Sequence, residues 1–302
     1  MKAHYFTCDV FTDKRFGGNQ LAVFPDATKI PEHLLHSIAR EFNYSETTFV
    51  YPPENSEHTR RVRIFTPAGE IPFAGHPTIG TAFVLAKSGA LSLTGEETAV
   101  TFEEGVGNVP VKILMHNGTP SFAQLTAAQP PEIIDAALDV KNIAGFLGIH
   151  AQDIDVQNFA IQYVSVGLPF LFVPLNDLSV MQRIKIDIQK MESTLHHAQT
   201  KDIYVFTRDC EQPDSHFHVR MFAPLQGIPE DPATGSAAAA FAGYLAMKDP
   251  TQSGLLKWKV EQGFEMGRPS LLYLEAEKKN GDVYTLRVGG NSVMVNEGEM
   301  EI

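Results

Sequence analysis

RIFTPAGEIPFAGHPTIGTAFVLA, from Arg63 to Ala86, and RMFAPLQGIPEDPATGSAAAAFAGYLA, from Arg220 to Ala246, read as two copies of one unit. Both run Arg, apolar, Phe, one residue, Pro, and reach Ile-Pro (Ile71-Pro72 and Ile228-Pro229) at the same spacing. The second copy then holds three more residues before its Gly. Each copy ends in small and apolar residues at helical spacing. Upstream, GNQLAVF (Gly18 to Phe24) has a weaker counterpart in GLPFLFV (Gly167 to Val173), and ETTFVY (Glu46 to Tyr51) one in DIYVFT (Asp202 to Thr207). Four matches in the same order imply repeated supersecondary units, hence an internal duplication into two similar half-domains.

Working outward, strand-like alternation covers 4–11, 20–25, 47–51, 59–66, 98–104 and 108–114. Leu34, Leu35, Ile38, Ala39 and Phe42 predict a helix starting at Pro31, a favourable first-turn residue. The second half repeats the order, with strands near 158–164 and 169–174, a helix near 185–198, and strands at 202–207 and 216–222. The stretch 255–302 is strand-rich, and Gly289-Gly290-Asn291 is read as punctuating its last turn. Many strands with few long helices give an α+β class. Gln129-Pro130-Pro131 marks the boundary, so the half-domains are expected at 1–128 and 129–302.

The chain's 302 residues are 43% hydrophobic, enough for a substantial core, and carry a formal net charge of −12. That balance argues against nucleic acid as a partner. The first residues hold no apolar signal region, and the longest small-apolar run, Ala237 to Met247, is too short to span a bilayer. Cys8 and Cys210 stand far apart without a CxxC partner, which excludes a disulfide framework and argues against a zinc site built on cysteine; no metal is expected. They are read as small buried apolar groups. A cytoplasmic location with no membrane association is the expectation.

Both copies pass from a strand through a Pro-Gly turn into a helix, at PFAGHPTIG (Pro72 to Gly80) and PEDPATGSA (Pro229 to Ala237). A helix N-terminus has about four unpaired N–H groups and roughly half a positive charge, so it suits an anion that glycine lets approach closely. Two such ends about a pseudo-twofold axis would make one cleft for a small anionic metabolite. Ordinary capped helices are the plainer alternative. Ser236 is a candidate binding hydroxyl, and Thr234 a candidate cap. Glu46 stands at the start of an apolar strand, where it is either a polar turn residue or a general base sheltered in the cleft. His76 could bond a substrate or assist proton transfer, or be a helix-start histidine. Asp231 could polarise the substrate, or be an acidic first-turn residue favoured by the dipole. GVGNVP (Gly105 to Pro110) is a hairpin turn, and no Walker, HExxH or GxSxG motif occurs.

NYSETTFV, RIFTPAGEIPFAGHPTIGTA, RMFAPLQGIPEDPATGSAAA and the late GRPSLL closely resemble the phenazine-biosynthesis isomerase family, the PhzF-like proteins, nearly end to end. The resemblance implies a diaminopimelate-epimerase-like fold, each half a curled mixed sheet around a central helix, here Gly75–Ser88 and Thr234–Met247. It implies a final strand that crosses back to complete the first half, and a homodimer. It implies a cofactor-independent isomerase in which Glu46 shuttles a proton along a conjugated cyclic carboxylate, with His76 and Asp231 catalytic. Gly75, Gly235 and Ser236 would bind substrate. The related epimerases place a cysteine at each helix N-terminus; this chain has Gly75-His76 and Gly235-Ser236 there, so two-cysteine racemisation is not expected. A non-catalytic anion or partner binder on the same fold is the alternative, and a lyase or tautomerase with the same first proton abstraction a third.

Overall fold

The chain opens with β1 (Lys2–Val10), whose last five residues are all buried, and β1 pairs antiparallel with β2 (Asn19–Phe24). The computed structural model describes residues 1–302, which divide into two units: 1–128 with 287–302, and 129–286.

In the first unit a crossover through α1 (Leu35–Phe42) brings β3 (Glu46–Tyr51) parallel to β2, and β4 (Arg60–Thr66) follows antiparallel. β5 (Gly69–Ile71) folds back on β4, and the chain then enters α2 (Gly75–Lys87). β6 (Glu97–Glu104) joins β4 in parallel, and β7 (Gly107–His116) and β8 (Thr119–Thr126) continue antiparallel. Residues 287–291 pair with β8 and residues 292–301 with β1, which closes the sheet into a barrel. Closure removes the free edges that an open sheet would expose.

α2 is buried from Gly75 to Ala86 and packs against β1, β2, β3, β7 and β8. A helix apolar all round belongs inside, because it has no face to give to water. Gly80 sets the depth of that packing: a Cβ there would stand 2.6 Å from both Leu21 Cδ2 and Val10 Cγ2. A polar pair deep in the contact is satisfied internally, Thr48 Oγ1 to Thr81 Oγ1 at 2.8 Å.

The second unit repeats the pairing. β9 (Glu132–Asp135) and β11 (Pro169–Pro174) flank β10 (Gln162–Ser165) antiparallel, and β12 (Ile203–Thr207) lies parallel to β11. β13 (Phe217–Ala223) is antiparallel to β12 and β14 (Ile228–Asp231) folds back on it. β15 (Gly254–Gln262) joins β13 in parallel and β16 (Ser270–Lys279) follows antiparallel. β17 (Asp282–Glu301) is the strand whose later residues close the first unit. The small helices α3 (Val140–Leu147), α4 (Leu178–Arg183) and α5 (Ile188–Thr194) cover one side, while α6 (Gly235–Lys248) packs against β10, β11 and β16. α6 is rich in alanine, the strongest helix former, and stacks Phe241 on Phe172 at 5.6 Å between ring centroids. No helix is long and apolar enough to cross a membrane.

The same clamp recurs in both units. The backbone N–H groups of Glu54 and Asn55 donate to Glu103 on β6, and those of Glu211 and Gln212 donate to Glu261 on β15. In β6 the period-two alternation turns Thr98, Val100, Phe102 and Glu104 inward and Glu103 outward.

Several local expectations change. Gly289, Gly290 and Asn291 lie in mid-strand in β17 and make no turn; a Cβ at Gly289 would stand 2.8 Å from the Ala123 carbonyl oxygen and the Phe122 ring. The segment after Pro31 begins as a 3-10 turn, Glu32–Leu34, before α1. The expected helix at 185–198 is the shorter α5, and α3, α4 and β8 were not read from the pattern. Short helices held by aspartate caps (Asp139, Asp177 and Asp187) and by tertiary packing leave weak periodicity. The central helices begin at Gly75 and Gly235. Cys8 is buried, but Cys210 is only half-buried, in the loop before β13.

Candidate active site

In the first unit α1 ends at Asn43, whose left-handed conformation (φ 51°) reverses the chain into β3. Glu46 is the first residue of β3 and pairs across to Leu21 of β2. His76 is the second residue of α2, whose N-terminal Gly75 is buried. Strand and helix thus bring their first residues together: His76 Nε2 lies 3.3 Å from Glu46 Oε2. The two atoms are in ion-pair range without hydrogen-bond alignment.

Asn19, buried at the start of β2, completes the group, with its amide Nδ2 3.2 Å from His76 Nδ1. With Asn19 as the donor to Nδ1, the neutral ring carries its proton on Nε2, the edge facing Glu46. Burial pushes the His76 imidazole down to about 3, against a smaller opposing contribution from the Gln20 backbone. The ring is therefore neutral at physiological pH, able to donate or accept a hydrogen bond but not to act as a cationic acid.

In the second unit Asp231, the last residue of β14, is buried and accepts from Thr234 Oγ1 at 2.5 Å. Thr234 occupies the cap position of α6, yet its hydroxyl makes no cap bond because it is committed to Asp231. Gln262 at the end of β15 ties the loop down: its Nε2 donates to the Asp231 carbonyl at 2.8 Å and to Thr234 Oγ1 at 3.0 Å, and its Oε1 accepts from the Thr234 N–H at 3.1 Å. Ser270 Oγ donates to the Pro232 carbonyl at 2.9 Å. On this rigid loop Gly235 is buried, while Ser236 alone in the first three turns of α6 is partly exposed.

Of the residues singled out in the sequence, Glu46, Gly75 and His76 therefore gather in the first unit, and Asp231, Gly235 and Ser236 in the second. Asn19 and Gln262 were missed. Asn19 had a signal, a polar residue opening the apolar run of GNQLAVF; Gln262 had none beyond closing an alternating strand. Neither cysteine stands at a helix N-terminus. Cys8 lies within β1, and burial, helped by Asp9, drives its thiol far above the usual range.

Residues 8–298 match the family described as phenazine biosynthesis-like protein. The chain belongs to this family. It is 40% identical over 304 residues to an uncharacterised isomerase of Mesorhizobium japonicum, covering 99% of each chain. It is 31% identical to the trans-2,3-dihydro-3-hydroxyanthranilate isomerase of Pseudomonas chlororaphis, over 98% of each chain. A PhzF-family structure from Bacillus anthracis superposes with a TM-score of 0.91 at 27% identity, over the full length of both. Both of these relatives are named isomerases, and this chain is an enzyme of that class.

Proposed function

We propose that the enzyme moves a proton on a small unsaturated carboxylate without a cofactor, with Glu46 as base and then acid. The contact between Glu46 and a neutral His76 carries this reading. The Glu46 carboxylate removes a proton from a C–H next to the conjugated system, and the electron pair left behind spreads into the double bonds and the carboxylate. The carboxylic acid so formed on Glu46 returns the proton at another carbon, and the double bonds shift. One carboxylate suffices for such a step, whereas inversion at a single carbon needs groups on both faces. A neutral His76 can turn a hydrogen bond onto substrate, or onto Glu46 after a small shift, without competing as an acid.

Each unit also offers groups suited to an anionic ligand. Gly75 and Gly235 offer backbone donors at helix N-termini, Ser236 its hydroxyl, and Asp231 a carboxyl held by Thr234. The dihydro-hydroxyanthranilate of the Pseudomonas relative is of the right kind, a cyclic unsaturated carboxylate, and defines the substrate class proposed here. A homodimer working in the cytosol belongs to the same reading.

The test is turnover in deuterated water over a panel of small unsaturated and cyclic carboxylates, with wild type and Glu46→Gln in parallel. Product or solvent label from the wild type alone supports the proposal. Turnover that survives in Glu46→Gln refutes the assigned base, and anion binding without turnover across the panel points to a binding protein.

A further inference from the structure

Glu104, the last residue of β6, is turned inward by strand alternation and is buried. Its Oε1 lies 2.7 Å from Thr78 Oγ1, and the same hydroxyl lies 2.8 Å from the Ala74 carbonyl at the start of α2. A threonine hydroxyl has one proton, and here two oxygens require it. Both contacts are satisfied together only when the carboxyl of Glu104 is itself the donor to Thr78.

The second unit holds the same position with a different side chain. Arg60 and Arg61 of β4 pair with Phe102 and Glu103 of β6, as Phe217 and His218 of β13 pair with Val260 and Glu261 of β15. The next residues along are Glu104 and Gln262. Gln262 secures Thr234, the residue before α6, and Glu104 secures through Thr78 the corresponding Ala74 before α2. A donating amide N–H in one unit has its counterpart in a donating carboxyl O–H in the other.

We propose that Glu104 carries its own proton at neutral pH and acts as a positioning residue, holding the first turn of α2, and with it His76, through Thr78. Burial raises the carboxyl to about 8, against the opposing pull of the Thr78 hydroxyl. The charged groups around the cavity that Glu104 borders are Arg61 and Arg63 of β4, Glu70 of β5, Glu103 of β6 and Glu54 of the β3–β4 loop. Each has its own partner: Arg61 with Glu54, Arg63 with Glu70, and Glu103 with His58. From α2 the neutral His76 is the one titratable side chain of the first turn. Above about pH 8 the ionised Glu104 takes the single proton of Thr78, and the Ala74 carbonyl is left with the Thr78 backbone N–H at 3.3 Å. The first turn of α2 then loosens under His76.

The importance of His76 rests on the proposed reaction, but the test does not need turnover, so the two can fail separately. In protein labelled with carbon-13 at glutamate side-chain carboxyls, the Glu104 resonance is assigned by its loss in Glu104→Gln. It is expected in the acid form at pH 7, with a midpoint near 8. Over the same titration the ring nitrogen shifts of His76 move, and exchange protection of the Thr78 amide falls about tenfold, the scale of one hydrogen bond. Glu104→Gln is expected to show wild-type protection at neutral pH and no such titration. An ionised Glu104 at pH 7, a titration to which His76 and Thr78 do not respond, or loss of protection in Glu104→Gln would each overturn the proposal.

Discussion

His76 Nε2 stands 3.3 Å from Glu46 Oε2, and the ring is buried deeply enough to stay neutral. A charged imidazole there would neutralise the carboxylate and blunt it as a base; a neutral one leaves its charge intact. Glu46→Gln keeps the shape and removes the basic oxygen. Its kcat is expected to fall by about 10²- to 10⁴-fold, the usual contribution of a positioned base. Circular dichroism should be unchanged, so that the loss reads as chemistry.

Asn19 fixes the His76 ring through Nδ1. In Asn19→Leu the ring loses that donor and its proton is no longer assigned to the edge facing Glu46. The expected result is a fall in kcat of about tenfold with little change in KM, the scale of one hydrogen bond. Steady-state kinetics on a carboxylate turned over in the panel would check it; Asn19→Asp, whose carboxylate also cannot donate, should lose at least as much as Asn19→Leu, and wild-type kcat in either variant would argue against the role of the donor.

His218 sets a different pH dependence, through stability. It is fully buried between Glu261 at 2.9 Å and Glu265 at 3.1 Å. Burial pulls its pKa down, but the two carboxylates outweigh burial and raise it to about 9. A raised folded pKa contributes stability that is complete below the unfolded value of about 6.5 and disappears as pH rises through about 9. Stability in urea should therefore fall between about pH 7 and pH 10, by a few kcal/mol. His218→Gln should start lower and lose this slope.

His76 acts with the opposite sign. Its folded pKa, near 3, lies below the unfolded value of about 6.5, so the unfolded chain binds the proton first as pH falls. Stability should decline from about pH 6.5 downward, and His76→Gln should decline less over that interval. Thermal melts across this range measure the difference.

Gly289 tests the barrel closure. Its missing Cβ leaves room for the Ala123 carbonyl and the Phe122 ring, each 2.8 Å from where it would stand. Gly289→Ala should destabilise the protein by about 1–3 kcal/mol, the cost of overpacking, although alanine is the better residue in an unstrained strand. Unchanged stability would mean that β8 and β17 can separate there without cost.

Much of the architecture was legible because it depends on local pattern. The two apolar helices, the ordered strands and the Pro-Gly turns that introduce Gly75 and Gly235 all follow from periodicity and from glycine and proline chemistry. Glu46 stood out at the start of an apolar strand and His76, Asp231 and Ser236 at the two strand-to-helix turns, and the resemblance to the PhzF-like proteins supplied their expected roles. The turn expected at Gly289 failed because glycine also serves close approach, and the identity of the neighbour, Phe122, lies far away in sequence.

The sequence by itself determined the repeated unit, the α+β class and the residues with chemistry to offer. Tertiary structure decided what those residues are. Glu103 and Glu104 are indistinguishable as letters, yet one caps a loop in water and the other is sealed against α2 with a proton it keeps. Likewise only packing joins Asn19 to His76 and makes that ring neutral. The reason is that protonation depends on desolvation and on hydrogen-bond partners, and both are supplied by segments distant along the chain.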